Sequence, residues 1–161
     1  MGSLFQTSGF RIQASEAQKL LRVFPLQIEV GESPSLYFRI DGDVRVGTPV
    51  SYRLVCGFWN VQWKCVIASV EGSSWNAELS QGPFTSFKAR HEESPVGNSV
   101  EFSDEIDFAG ESSDLSEALE QASFKYALSS RAALLRAKDS FESRRKTESF
   151  QAYSSENLSA G

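Results

Sequence analysis

The sequence has few of the residues that build metal and redox sites. It contains one histidine, two cysteines and one methionine in 161 residues. A single histidine with two separated cysteines does not supply a ligand set for zinc, so neither a metal site nor a cofactor is expected. Cys56 and Cys65 are expected to be free thiols, and a disulfide between neighbouring strands is the alternative.

Long apolar runs are also lacking. No stretch reaches the roughly 18 consecutive apolar residues that a transmembrane helix needs, and the N-terminus has no apolar segment typical of a secretory signal. The sequence is therefore expected to be soluble and cytoplasmic, without membrane insertion. Residence in an organelle stroma is the alternative.

Positive charge is scarce and unevenly placed. The chain has 16 Lys and Arg against 21 Asp and Glu, a net charge of −5, which argues against a protein that binds nucleic acid through a basic face. Residues 92–120 contain acids but no Lys or Arg, and bases return over 131–146. This pattern predicts an acidic strand followed by a helix with acids near its start and bases near its end. A docking surface for a partner protein is the alternative.

What is present is a series of short β-type runs separated by Gly, Pro and Asn. Alternating or β-branched segments occur at fairly regular intervals, which predicts an antiparallel meander. A short helix is predicted over 15–24, where Ser15 and Gln18 form a capping-box pattern and Pro25 follows. The predicted strands cover residues 4–14, 26–30, 36–40, 49–56, 61–70, 74–80, 84–93 and 99–108.

The C-terminal third has a different pattern. Residues 112–145 contain no Gly or Pro, and Leu115, Leu119 and Ala122 begin an apolar stripe with helical spacing. A long helix is predicted there, capped by Ser113 or Ser116. Residues 146–161 are predicted to be a polar, disordered tail, which leaves residues 1–145 as one domain.

These elements predict an α+β helix-grip fold. A curved antiparallel sheet of about six or seven strands would wrap around the long C-terminal helix, with the short helix after the first strand. A helix laid across a strongly curved sheet often leaves a cavity between the two layers. Such a cavity is where a small molecule would bind.

One histidine and one aspartate are the best candidates for chemistry. Alternation along residues 84–93 puts Phe87 and His91 on one face and Phe84 on the other. A hairpin at 96–98 would bring His91 beside Asp104, whose neighbours on the same face of the strand, Phe102 and Ile106, are apolar. The pair would act either as an acid–base pair in a pocket or as a structural hydrogen bond between two half-buried groups.

Four aromatic residues fall on successive predicted strands. They would either line a cavity for a flat or apolar ligand or form an ordinary core. With the His–Asp pair they complete the predicted ligand-binding residues: Tyr52, Trp63, Trp75, Phe87, His91 and Asp104.

Three stretches resemble the SRPBCC superfamily, which includes the START domains. They are "GTPVSYRLVCGFWNVQWKCVI" (47–67), "LSQGPFTSFKARHEESPVG" (79–97) and "SDEIDF" (103–108). The likeness is nearest to ligand-binding proteins of the polyketide cyclase/dehydrase group. It departs from that group at Ala89, where the group has the first histidine of a His-x-His pair, and at Glu93, where an aromatic residue is usual.

The resemblance implies a helix-grip fold and a hydrophobic small-molecule partner. The first hypothesis is a protein that binds a lipid, an isoprenoid or a polyketide-like molecule between sheet and helix. The second is a cyclase- or dehydrase-type enzyme that uses His91 and Asp104. The third is an interaction protein whose cavity is filled by side chains. Ala89 and the single histidine favour binding over catalysis.

Overall fold

The described part of the chain forms one antiparallel sheet and one helix. The computed structural model describes residues 2–10, 21–22, 34–57, 59–97 and 99–122. The helix, α1, covers residues 113–122. The strands are β1 (Gly2–Phe10), β2 (Ser35–Ile40), β3 (Pro49–Cys56), β4 (Trp59–Glu71), β5 (Ser74–Gln81), β6 (Ser86–Val96) and β7 (Ser99–Ala109).

The seven strands lie in the order β1-β7-β6-β5-β4-β3-β2, and every neighbouring pair is antiparallel. Strands that are consecutive along the chain are therefore neighbours in the sheet from β2 through β7. Two register shifts in β4, between Lys64 and Cys65 and between Ile67 and Ser69, bend this long strand as bulges do. The predicted meander of a curved antiparallel sheet is confirmed.

Alternation along β6 decides which side chains face the core. Phe87, Ala89 and His91 are buried, whereas Lys88 and Arg90 between them are exposed. Successive side chains of a strand point to opposite faces, so the faces predicted for these residues are confirmed. We call the buried side of the sheet the inner face and the exposed side the outer face.

Phe84 was predicted to lie on the outer face, and this is wrong. The strand begins at Ser86, so strand alternation does not apply to Phe84. The Gly82-Pro83 bend turns its side chain inward, where the ring is buried and lies 5.5 Å from the ring of Phe87 and 5.0 Å from that of Trp63.

Helix α1 packs on the inner face. Leu115, Leu119 and Ala122 are buried and belong to the same core cluster as the inner-face side chains of the sheet. The backbone N–H of Leu115 donates to the hydroxyl of Ser112 at 3.2 Å. Ser112 therefore caps the helix, not Ser113 or Ser116, because a capping side chain accepts from the N–H three residues later.

Neither cysteine forms a disulfide. Cys56 is paired with Trp59 at one end of the β3–β4 ladder, whereas Cys65 is paired with Val50 near the other end. Side chains so far apart along two strands cannot form a disulfide, so the alternative of a cross-strand disulfide is wrong.

Several predictions fall outside the described residues. They are the strand at 26–30, nearly all of the helix at 15–24, the helix beyond residue 122 and the tail at 146–161. Leu21 and Arg22 of the predicted first helix lie in a turn. The backbone carbonyl of Leu21 accepts a hydrogen bond from Ile40 at 2.8 Å. Within the described ranges, no helix is long and apolar enough to cross a membrane.

Candidate functional site

The four predicted aromatic residues are buried on the inner face of four neighbouring strands. Tyr52 and Trp63 stack with ring centroids 5.7 Å apart and planes 8° apart. The ring of Phe87 contacts both edge-on, at 5.0 Å from Tyr52 and 5.3 Å from Trp63. Trp75 joins this group through Phe38, whose ring lies 6.3 Å from Trp75 and 5.8 Å from Tyr52. The pairing of the strands and the alternation of side chains along each strand thus place these rings in one continuous aromatic layer.

The His–Asp pair lies beside this layer. His91 and Asp104 are directly opposite in the β6–β7 ladder, because the hairpin reverses at Gly97, between the paired residues Val96 and Ser99. Gly97 has φ +60°, a backbone conformation that glycine adopts without strain. The Nδ1–H of His91 donates to Oδ1 of Asp104 at 2.6 Å. The predicted proximity of the two side chains is present in the structure.

Glu93 completes the polar group and was not predicted as a site residue. Its side chain is buried, and its Oε1 lies 3.4 Å from Nε2 of His91. We call His91, Glu93 and Asp104 the ionic cluster. Glu93 follows His91 by two residues, so strand alternation alone would have placed it on the same face.

Opposing effects act on the pKa of His91. Burial lowers it by disfavouring the charged ring, but the charge and hydrogen bond of Asp104, followed by those of Glu93, outweigh burial and raise the pKa from 6.5 to about 9. The ring is therefore an imidazolium at neutral pH, and both of its N–H groups face carboxylates.

Aromatic rings enclose the imidazolium. Trp75 stacks on it with centroids 5.2 Å apart, and the ring of Phe102 lies 5.1 Å away. Phe38 approaches edge-on at 5.7 Å. The faces of aromatic rings attract a cation, which compensates in part for its removal from water. Phe102 precedes Asp104 by two residues, and alternation would have identified it as well.

Two further titratable groups lie in the core. Burial, with smaller contributions from Cys65 and Asp104, raises the pKa of the Tyr52 hydroxyl well above its usual value. Burial raises the pKa of the Cys65 thiol to about 12. Neither group is ionised at neutral pH, so Cys65 does not supply a thiolate nucleophile.

Two polar atoms of the aromatic layer lack partners. The indole Nε1–H groups of Trp63 and Trp75 are buried and have no hydrogen-bond acceptor among the described residues. Buried donors are nearly always paired with protein, water or a ligand. These two groups are therefore the clearest unsatisfied polar positions on the inner face.

The outer face carries a depression of about 340 Å³ away from the ionic cluster. Charged side chains from β5, β6 and β7 surround it, and both signs are mixed along the ladder. Its lining is Ala68, Ser69, Asn76, Ala77, Glu78, Lys88, Ala89, Arg90, Glu105 and Asp107. Within the described residues no group of His, Cys, Asp and Glu side chains is arranged to hold a metal ion.

No family model and no curated protein matches the chain. Solved structures do match. The crystal structure of TTHA0849 from Thermus thermophilus has a TM-score of 0.60 at 11% identity and covers 86% of this chain and 99% of its own. Ara h 8.0201 has a TM-score of 0.50 at 9% identity, with 88% and 98% covered. A START superfamily protein from Mycobacterium smegmatis has a TM-score of 0.47 at 15% identity, with 73% and 94% covered.

At such low identity the first two structures establish the fold alone. The chain has the helix-grip fold that its sequence predicted. The likeness of sheet and helix covers most of the chain, and it assigns no ligand and no reaction.

Proposed function

We propose that this protein binds a hydrophobic or amphipathic small molecule between the inner face of the sheet and the C-terminal helix. The observation that carries the proposal is the continuous buried aromatic layer, in which two indole N–H groups have no acceptor in the described part of the chain. A lipid, an isoprenoid or a polyketide-like molecule has the required apolar character.

The aromatic layer supplies the apolar part of such a site. Apolar surface removed from water contributes about 25 cal/mol per Å², and small-molecule sites are lined mainly by aromatic and aliphatic side chains with a few polar groups. Tyr52, Trp63 and Phe87 are a contiguous set of this kind. Helix α1 supplies Leu115 and Leu119 from the opposite side.

The unpaired donors supply a reason for a ligand. Each buried N–H without an acceptor costs about 1–3 kcal/mol. In a purely structural core nothing compensates for this cost. In a binding site, a hydrogen bond to an acceptor of the ligand compensates for it. The indoles of Trp63 and Trp75 therefore support binding over a purely structural aromatic core.

An acid–base enzyme is the second candidate, favoured by the 2.6 Å contact between His91 and Asp104. Its difficulty is that Asp104 and Glu93 occupy both ring nitrogens of His91. A raised pKa also makes His91 an acid, and not a base, at neutral pH. The geometry therefore supports the binding role more strongly.

An interaction protein with a filled cavity is the third candidate. The observation in its favour is that the six predicted ligand-binding residues are only 1–6% exposed. In that case the side chains themselves would occupy the space that a ligand needs.

Native mass spectrometry of freshly purified protein tests the proposal. We expect a second mass that exceeds the chain by that of a small molecule and disappears after extraction with organic solvent. Thermal shifts with lipids and isoprenoids should then show stabilisation of the extracted protein. An unliganded mass together with no stabilisation by any member of the panel would favour the filled-cavity protein.

A matched pair of variants separates binding from catalysis. His91→Ala removes the ring of the ionic cluster, whereas Arg90→Ala changes the neighbouring residue on the outer face. If ligands still stabilise both variants, His91 is not needed for binding. If the wild type and Arg90→Ala transform a bound substrate and His91→Ala does not, the protein is an acid–base enzyme, and the proposed binding role is wrong.

A further inference from the structure

The chemistry of the inner face restricts which ligand it accepts. Among the residues that the structure describes, its polar atoms without a partner are both donors, the Nε1–H groups of Trp63 and Trp75. They lie on neighbouring strands, and both side chains are buried, at 2% and 3% exposed. A buried N–H donor requires an acceptor, and a pure hydrocarbon would leave both N–H groups without one.

The two donors differ in their surroundings. Trp63 lies among the rings of Tyr52, Phe84 and Phe87. Trp75 lies against the imidazolium of His91, next to the ionic cluster. An acceptor at Trp63 would be surrounded by apolar rings, and an acceptor at Trp75 would lie close to the carboxylates of the cluster.

The charge of the ionic cluster opposes a second anion. One imidazolium faces two carboxylates, those of Asp104 and Glu93, at 2.6 and 3.4 Å. The field of Asp104 also reaches the Tyr52 hydroxyl, where it acts against ionisation. In a buried, low-dielectric site such repulsion is weakly screened. No Lys or Arg side chain belongs to the buried inner face within the described residues.

We propose that the ligand is an uncharged apolar molecule with an oxygen acceptor, such as a ketone or ester, which accepts a hydrogen bond from one of the two indoles, and that carboxylates are excluded. This inference rests on the proposed function, since it requires that the inner face binds a small molecule.

Three probes with the same chain length test this selectivity: methyl dodecanoate, dodecanoate and dodecane. They share an apolar chain but present a neutral acceptor, an anion and no acceptor. Dissociation constants are measured by calorimetry with the full chain, using cyclodextrin to deliver the probes. We expect the ester to bind about tenfold more tightly than dodecane, which lacks the one buried hydrogen bond. It should also bind at least about tenfold more tightly than dodecanoate, whose charge the carboxylates of the ionic cluster repel in a low-dielectric site.

Trp63→Phe and Trp75→Phe locate the donor. Each keeps an aromatic ring and removes one N–H, and Trp59→Phe is the matched control because Trp59 is 45% exposed. One of the two buried variants should bind the ester about fivefold more weakly and leave dodecane affinity unchanged. An equal loss for ester and dodecane would mean that the ring acts only through its shape, and would overturn the donor role.

The wild-type comparison needs no variant, so a variant that fails to fold does not prevent the test. Dodecanoate or dodecane binding as tightly as the ester would overturn this inference but leave the proposed binding function intact. If none of the three binds and the purified protein carries no small molecule, the proposed function itself fails.

Discussion

Consecutive residue pairs of β6 and β7 face opposite sides of the sheet and have opposite environments. Arg90 is paired with Glu105 on the outer face, and the next pair, His91 with Asp104, is on the inner face. The side chain of Arg90 is 46% exposed, and its nearest acid, Glu92, is 4.0 Å away. The side chain of His91 is 1% exposed, and Asp104 is 2.6 Å away.

This contrast shows that position in the pleat determines the energetic role of a charge. An ion pair in water contributes about 0–1 kcal/mol because solvent screens it. Removal of one partner of a buried pair costs about 3–5 kcal/mol because the other charge is left without compensation. The outer pairs are therefore replaceable, whereas the ionic cluster is coupled to the stability of the sheet.

Substitution of an aromatic residue is expected to give the largest difference between the two faces in the free energy of unfolding. Phe87→Ala leaves a cavity beneath Tyr52 and Trp63 and should lower the free energy of unfolding by about 4 kcal/mol. The control is Phe5→Ala, since Phe5 is 65% exposed on β1, and it should change the value by about 0.5 kcal/mol or less. Urea denaturation measures both. Similar losses would contradict the assignment of Phe87 to the core.

The next effect concerns the ionic cluster. Asp104→Asn preserves shape but removes the charge opposite His91, and it should cost about 3 kcal/mol at neutral pH. Glu105→Gln makes the matching change one residue along on the outer face and should cost about 0.5 kcal/mol or less. If urea denaturation gives equal values for the two variants, the cluster does not differ energetically from the surface charges.

A smaller effect is expected at Gly82, which precedes β6. A Cβ atom there would overlap the Cβ of Trp63 and contact Leu79. Gly82→Ala should therefore cost about 2 kcal/mol, as overpacking does. Gly9→Ala is the control because a Cβ at Gly9 meets nothing within 4 Å. A Gly82→Ala variant as stable as the control would show that the loop moves away from Trp63 without cost.

Alternation and turn residues predicted much of this arrangement. The β6–β7 hairpin, the inward faces of Phe87 and His91, and the proximity of His91 to Asp104 all depend on local rules that act over a few residues. The same rules would have identified Glu93 and Phe102, two residues from His91 and Asp104.

Other features depend on how the sheet bends, and local sequence patterns do not predict them. Phe84 turns inward because the chain bends before β6 begins, so a strand pattern extended too far put it on the wrong face. The stacking of Trp75 on His91 requires the register of β5 against β6. That two indole donors lack acceptors among the described residues also follows only from the packed arrangement.

The ionic cluster also predicts how stability depends on pH. The folded pKa of His91, about 9, lies above its ordinary value of 6.5. The cluster's contribution is then fully present below about pH 6.5 and is lost as the pH rises through about 9. The free energy of unfolding should fall over this interval in the wild type and much less in Asp104→Asn. An equal slope in both would assign the effect to another group.

The most direct test is an NMR titration of the imidazole Cε1–H resonance. His91 is the only histidine in the chain, so the signal needs no assignment by mutation. The described geometry predicts an imidazolium at pH 7 and a midpoint near 9. A midpoint at or below the ordinary value of 6.5 would contradict it, because it would mean that burial outweighs the two carboxylates and that the inner face holds a neutral histidine.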